Sequence, residues 1–248
     1  MKAVNHQHVK YSSTLIAVKL LNAIKGFFTF KELENILNIS TQMLWRYTRF
    51  QTLPERDTAS KIIDRIKKAK LIDKIVDKVL QVNEEGIIEI WRIISNLHFL
   101  NILGYIALEF TGNENIDVVF AFSDNAKPIA TIIADWLRCK LCITETVPSG
   151  TKGYLVEIYA SAPLSRVNTI FVPHELLPSG TKVLIVHDIA RSGKGLKAAI
   201  RLVRKARATP WGVMTIISLS NEWVNTLKTL GVYRILTVKE FSLNKNLM

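Results

Sequence analysis

Cysteine is almost missing: Cys139 and Cys142 are the two thiols in 248 residues. They form a C-x-x-C, but no second Cys/His pair stands nearby to complete a zinc site. The segment L-R-C-K-L-C-I lies at a predicted helix end and strand start, where buried structural thiols are common. A redox pair is the other reading, and nothing marks an oxidising compartment. Acidic residues are also short, 21 against 33 Lys and Arg, which leaves a net charge of +12. Residues 1–70 carry 13 basic against 5 acidic residues, residues 71–110 carry 3 against 6, and residues 111–248 carry 17 against 10. A basic N-terminal third followed by an acidic connector points to a polyanion-facing module joined to something else. A generally basic soluble surface is the plainer alternative. A long clean apolar run is absent too. Gly86 to Phe110 is interrupted by Glu89, Arg92, Asn96, His98 and Asn101, which would be costly in lipid, so it reads as a buried helix and not a membrane span. The N-terminus is polar where a signal peptide needs an apolar core. The expectation is a soluble, cytoplasmic chain without a membrane partner. Repeats and low-complexity segments are missing, and 48% hydrophobic content excludes wholesale disorder.

The stretch Lys182 to Gly195, K-V-L-I-V-H-D-I-A-R-S-G-K-G, carries the strongest signal. Val183 to Val186 is an apolar, β-branched run that reads as a buried parallel strand. Asp188 ends the run, Arg191 to Gly195 form a small polar loop, and Gly195 opens an amphipathic helix. Strand, glycine-containing loop and helix together make a phosphate cradle. The first N–H groups of a helix are unpaired, the dipole adds partial positive charge, and glycine lets a ligand approach the backbone. An ordinary strand–turn–helix is the bland reading.

This segment resembles the phosphoribosyl pyrophosphate (PRPP) motif of type I phosphoribosyltransferases, in which an apolar strand runs into two adjacent acids and then a Thr/Ser-Gly loop. The resemblance implies that His187, Asp188, Ala190, Arg191, Ser192, Gly193, Lys194 and Gly195 hold the ribose and 5′-phosphate of a ligand. The second acid is Asp188. His187 stands where the first would be, and Gly195 stands where Ser/Thr is usual. Ser123 to Ala130 resembles the family's pyrophosphate loop, S/T-E-x-G-x-P-x-A, which implies contacts from Ser123, Asp124, Asn125, Ala126 and Lys127, with Ala126 in the usual glycine position. The region from Thr146 to Asn168 corresponds to the family's mobile loop and hairpin, with Lys152 as its basic residue.

Upstream, Ser12 to Lys25 reads as a helix, and Thr29-Phe30-Lys31-Glu32 as a capping box opening a second. Asn38 ends that helix in a left-handed conformation, and Ser40 caps the next, T-Q-M-L-W-R-Y-T-R. The layout resembles a helix-turn-helix: Leu33, Leu37, Ile39, Leu44 and Tyr47 fill its apolar positions, and Glu34 departs from the small residue usual at the crossing. The resemblance places Ser40, Thr41, Gln42, Trp45, Arg46 and Arg49 toward double-stranded DNA, with Gln42 suited to adenine, Arg46 or Arg49 to guanine, and Ser40 and Thr41 to phosphate. Trp45 has two readings, stacking on sugar or packing inward. A helical bundle unrelated to DNA remains the plain alternative. The run R-Y-T-R-F-Q-T-L-P-E-R is similar to one in archaeal regulators that carry a phosphoribosyltransferase-like domain, with Phe50 in place of a glycine. A helix with Pro54 in its first turn is expected to run on toward Leu80, its basic end touching DNA or simply solvated.

Val82 to Gly86 marks the expected boundary, giving a helical domain over 1–83 and an α/β domain with a parallel sheet over 84–248. Downstream, strands at Ile116–Phe122, Leu141–Glu145, Trp211–Leu219 and Tyr233–Val238 alternate with helices at Ile129–Arg138 and Asn221–Leu230. The lysines and arginines at 194, 197, 201 and 204 or 205 read as one solvated helix face. The two resemblances together imply a homodimeric regulator that senses PRPP or a related phosphorylated ribose or nucleotide. No catalytic residue or protein-held metal is expected, and Mg²⁺ would enter only with a PRPP-like ligand. A working phosphoribosyltransferase is the alternative.

Overall fold

The computed structural model describes residues 11–83, 87–149, 153–161 and 166–241, and of Ser161 and Arg166 the backbone alone. Two compact units divide it, Met1–Ile106 and Ala107–Met248.

The first unit is helical. α1 (Ser13–Lys25) starts on Ser12, whose hydroxyl accepts from the Leu15 N–H, and it buries Ala17, Val18, Leu20, Leu21, Ala23 and Ile24. α2 (Phe30–Leu37) opens on a complete capping box: the Thr29 side chain accepts from the Glu32 N–H, and the Glu32 carboxylate accepts from the Thr29 N–H. Asn38, at φ 48°, ends it as expected. α3 (Thr41–Thr48) follows, capped by Ser40, and buries Leu44 and Tyr47.

The next segments correct the sequence reading. α4 (Arg56–Lys68) has Glu55 as its N-cap. Pro54 therefore lies outside the first turn, where its carbonyl accepts from the Thr14 hydroxyl. α4 stops at Ala69, Lys70 turns left-handed at φ 51°, and α5 (Leu71–Val79) restarts. The apolar positions explain the break. Ile62 and Ile66 of α4 and Leu71 and Ile75 of α5 are buried, and the step of five from Ile66 to Leu71 is out of phase with a continuous helical stripe. Arg65, assigned to a solvated or DNA-facing end, instead donates to the Leu37 carbonyl and caps α2. Phe50 takes φ 56°, a left-handed conformation that glycine adopts more readily. The long helix expected over Ile87–Phe110 is two, α6 (Ile90–Ile94) and α7 (Leu97–Thr111). Asn96 separates them, its side-chain oxygen accepting from the Phe99 N–H as a helix cap does. Among the described residues, no helix is long and apolar enough to cross a membrane.

The second unit is an α/β domain. Its sheet comprises β1 (Val118–Ala121), β2 (Lys140–Ile143), β5 (Lys182–Ala190), β6 (Thr209–Ser218) and β7 (Ile235–Glu240), in the order β2-β1-β5-β6-β7 and parallel throughout. α8 (Ala126–Leu137), α9 (Lys194–Lys205) and α10 (Glu222–Thr229) connect it. α8 begins three residues earlier than the sequence suggested. Pro128 sits in its first turn, where a missing N–H costs nothing. β5 is also longer than its apolar core, continuing through Asp188 to Ala190. A separate antiparallel hairpin of β3 (Tyr154–Ser161) and β4 (Arg166–Pro173) precedes a short helical turn at His174–Leu176. Residues 150–152, Lys152 included, lie outside the described residues. Glu157 of β3 fastens the hairpin to α9: its carboxylate lies 2.7 Å from Lys205 Nζ and 3.5 Å from Arg201 Nε, with its side chain 10% exposed. Arg204 donates to the Leu230 carbonyl. The α9 basic face is thus a docking face as much as a solvated one.

Candidate functional site

The strand order reverses between β1 and β5, since the chain leaves β1 toward β2 on one side and β5 toward β6 and β7 on the other. A crevice beyond strand C-termini at such a switch point is where open α/β sheets take ligands. The Ser123 loop follows β1 and the Arg191 loop follows β5, so the fold brings both sequence-predicted segments to this point.

Asp188 ties them together. Its Oδ1 accepts from the Ser123 hydroxyl at 2.9 Å, its Oδ2 accepts from the Asn125 amide at 3.2 Å, and His187 Nδ1 lies 3.0 Å from Oδ1. Ser123 Oγ is also 3.3 Å from His187 Nδ1. Burial pushes the Asp188 carboxyl up. The hydrogen bond and charge of His187, with the bonds from Ser123 and Asn125, together outweigh burial and hold it well below the usual carboxylate range. Asp188 is therefore an anion at neutral pH with both oxygens engaged. The His187 ring stacks on Phe122, centroids 4.6 Å apart, and Phe122 meets Tyr159 of β3 edge-on at 6.4 Å. Burial raises the Tyr159 phenol, helped by the charges of Asp188 and Asp124.

Gly193 caps α9 at φ 69°, and a Cβ there would come 2.6 Å from Trp223 Cβ. A Cβ on Gly195 would come 2.8 Å from the Phe122 ring. Arg191, Ser192 and Lys194 are exposed. The first-turn amides of α9 lack partners within the helix, which suits an anion there. In the Ser123 loop the arrangement is tighter. The Ala126 and Lys127 N–H groups donate to the Ser123 and Asp124 carbonyls, and Lys127 Nζ pairs with Asp124 at 2.6 Å.

Phe122, Tyr159 and Trp223 escaped the sequence reading. Tyr159 had a signal: alternation along β3 puts it on the same side as Glu157, facing α9. Trp223 had none local, because its indole N–H bonds Ser218 Oγ from another element.

As for a metal, Mg²⁺ prefers several hard oxygen ligands. Here one carboxylate faces the crevice from β5, already holding three donors, and His187 is its neighbour. Among the described residues no three His, Cys, Asp or Glu side chains converge. The residues do not fit a protein-held Mg²⁺. Cys139 and Cys142 are free. Burial, the largest influence, pushes the Cys139 thiol up to about 12 and raises Cys142 as well. Both should react with iodoacetamide at neutral pH at least ~100-fold more slowly than an exposed thiol. Labelling followed by mass spectrometry checks this, and rapid modification of the native chain would contradict it.

In the helical unit, Ser40, Gln42, Trp45 and Arg49 are exposed, and Thr41 and Arg46 half-buried. The Ser40 hydroxyl caps α3 by accepting from the Met43 N–H, which leaves its own hydrogen to donate. Trp45 is 42% exposed. It also lines a groove of about 310 Å³ with Lys25, Phe30 and Arg49, so it is neither locked inside nor wholly free.

Known proteins agree with this architecture. The purine biosynthesis transcriptional repressor PurR of Bacillus subtilis is 23% identical over 133 residues, which are 53% of this chain and 47% of that protein. The chain thus matches about half the length of this relative. Adenine phosphoribosyltransferase from Rhodothermus marinus superposes with a TM-score of 0.57 at 19% identity, covering 68% of this chain and 98% of that one. The Giardia lamblia enzyme complexed with 9-deazaadenine gives 0.59 at 15% identity, covering 68% and 97%. These likenesses establish the fold. The phosphoribosyl transferase domain profile matches residues 94–238, more than half of the sequence, and the chain belongs to that family.

Proposed function

We propose that the chain is a DNA-binding transcriptional regulator whose phosphoribosyltransferase-like domain senses PRPP or a related phosphorylated ribose or nucleotide. The observation that carries the reading is α3. It is short, capped and anchored by Leu44 and Tyr47, and it exposes Gln42, Trp45 and Arg49 with Arg46 half-buried beside them, the size and polarity that fit a major groove. The partial match to a purine repressor supports the same reading. Ser40 to Arg49 would contact DNA as one half of a helix-turn-helix. A homodimer would place two such helices on a palindromic site, and ligand at His187, Asp188 and Arg191 to Gly195 would bias the dimer. Mg²⁺ would arrive, if at all, on the ligand.

The second reading is a working transferase, favoured by the fold of the adenine phosphoribosyltransferases. It requires transition-state stabilisation, not binding alone. With the first acid replaced by His187 and the oxygens of Asp188 occupied, little carboxylate is left for that task. Steady conversion of adenine and PRPP to AMP and pyrophosphate by the pure chain would establish it and displace the sensor reading.

Fluorescence anisotropy on duplexes enriched from a random pool tests the regulator. Arg46→Ala should weaken binding about tenfold or more, and wild-type affinity should fall steeply with salt. Unchanged affinity in Arg46→Ala with a normal melting profile would remove α3 from the interface.

A further inference from the structure

We infer that the groove between α1, α3 and the first turn of α7 is a channel for the DNA backbone, so that the DNA interface of the helical unit extends past α3 onto Lys19 and Lys25. The inference rests on the regulator reading and adds to it a contact surface that α3 alone does not supply.

Three elements distant in sequence build the groove. His98, in the first turn of α7, lies against the backbone of Gly26 at the end of α1, where a Cβ would come 2.3 Å from its ring. His98 Nδ1 is 3.1 Å from the Asn22 carbonyl oxygen. A carbonyl only accepts, so Nδ1 carries the hydrogen and the ring is pinned to α1. Asn22 and His98 both line two adjoining hollows of about 310 Å³ each. Lys19 and Phe50 border the first, and Lys25, Trp45 and Arg49 border the second. The two lysines stand six residues apart on α1, about 9 Å along its axis, a span that covers two successive phosphates.

Charge selects the occupant. Lys19, Lys25 and Arg49 line the groove, and among the described residues no acid does. The Lys25 ammonium lies 4.7 Å from the centroid of the Phe30 ring, and that of Lys19 lies 4.3 Å from the centroid of Tyr11. A ring face steadies a cation without cancelling its charge. Cationic walls without a carboxylate attract a polyanion. Continuity says which one. Trp45 and Arg49 belong both to the proposed DNA face of α3 and to the wall of the groove, so the channel begins where the α3 contact ends. Trp45 and Phe50, 42% and 60% exposed, offer apolar surface to the sugars between phosphates. Contacts of this kind position a duplex and strengthen its binding without reading bases.

Fluorescence anisotropy of the full chain tests this on a selected duplex, a scrambled duplex and their separated strands, each across a salt series. Lys19→Met and Lys25→Met keep an apolar stem and remove the charge. Each should make the slope of log affinity against log salt about 0.9 shallower, and the double variant about 1.8. The loss of affinity should be equal on selected and scrambled duplexes. Lys228→Met, in the last turn of α10, should keep the wild-type slope. Lysines with a merely structural role would shift the melting midpoint and leave the slope alone. A wild-type slope in the double variant overturns the inference, as does equal flattening by Lys228→Met. Tighter binding of the separated strands than of the duplex also overturns it, because the groove would then be a single-strand site. Weakened binding by Arg46→Ala beside wild-type slopes in both lysine variants removes the groove and leaves the regulator reading standing. If the wild-type chain binds no duplex at any salt concentration, the regulator reading itself fails and takes this inference with it.

Discussion

Gly193→Ala should lower the stability of the α/β unit by about 2–5 kcal/mol. Two independent costs add at this position. Gly193 has φ 69°, and a non-glycine residue held in the left-handed region costs ~1–2 kcal/mol. The new methyl would also lie 2.6 Å from Trp223 Cβ and 3.3 Å from Trp223 Cα. Trp223 cannot yield easily: it is fully buried, and its indole N–H is bonded to Ser218 Oγ at 2.9 Å. Overpacking of this kind costs ~1–3 kcal/mol. Gly180 is the control, because it has φ 80° but open space around its Cα. Gly180→Ala should show the conformational cost alone. Thermal unfolding of both variants against wild type separates the contributions, and equal midpoints for the two would show that the Trp223 contact is not rigid. Any backbone shift that relieves the clash would also displace the N-terminus of α9, so ligand binding should fall with stability.

The loop from Arg191 to Gly195 was legible because three local signals coincide there. A β-branched run makes the strand, Arg191 to Gly193 make the turn, and an amphipathic pattern makes α9. The capping box at Thr29 and Glu32 was equally local. What could not be read was set by partners distant in sequence. The end of β5 is fixed by pairing of Ile189 and Ala190 with Ile217 and Ser218, although Asp188 looks like a terminator. The break before α5 left a local trace in the five-residue step from Ile66 to Leu71, but it falls on a left-handed lysine, Lys70, a residue type that gives no warning of it. Arg201 and Lys205 read as solvated because their partner, Glu157, lies some forty residues earlier on another element. In the site itself, the residue types were visible but their mutual engagement was not. Ser123, Asn125 and Asp188 each suggested a ligand contact, and the fold turns them toward one another.

That engagement gives the second large effect. Asp188→Asn should cost about 2–4 kcal/mol at neutral pH, because the replacement removes the charge and aims an amide N–H₂ at donors already present. Its dependence on pH has a definite sign. The folded-state pKa of Asp188 is depressed, despite burial, by His187, Ser123 and Asn125. A depressed carboxyl contributes stability that is fully present above its unfolded-state pKa of ~3.9 and is lost as pH falls through the lower folded value. The gap between wild type and Asp188→Asn should therefore hold steady down to about pH 4 and close below it. Guanidinium unfolding midpoints of the two proteins across the acid limb measure this. A gap that widens on acidification, or one that stays level to the acid end, would mean that the Asp188 charge contributes nothing to holding the two loops together. On the proposed ligand-sensing reading, a sugar hydroxyl at Asp188 would have to replace the hydrogen bonds that latch Ser123 and Asn125 to β5. Ligand affinity then includes the free energy of opening the latch. Ser123→Ala, which leaves the carboxylate in place but removes one donor, should weaken the latch and tighten ligand binding, whereas a residue that contacted ligand alone would only loosen it.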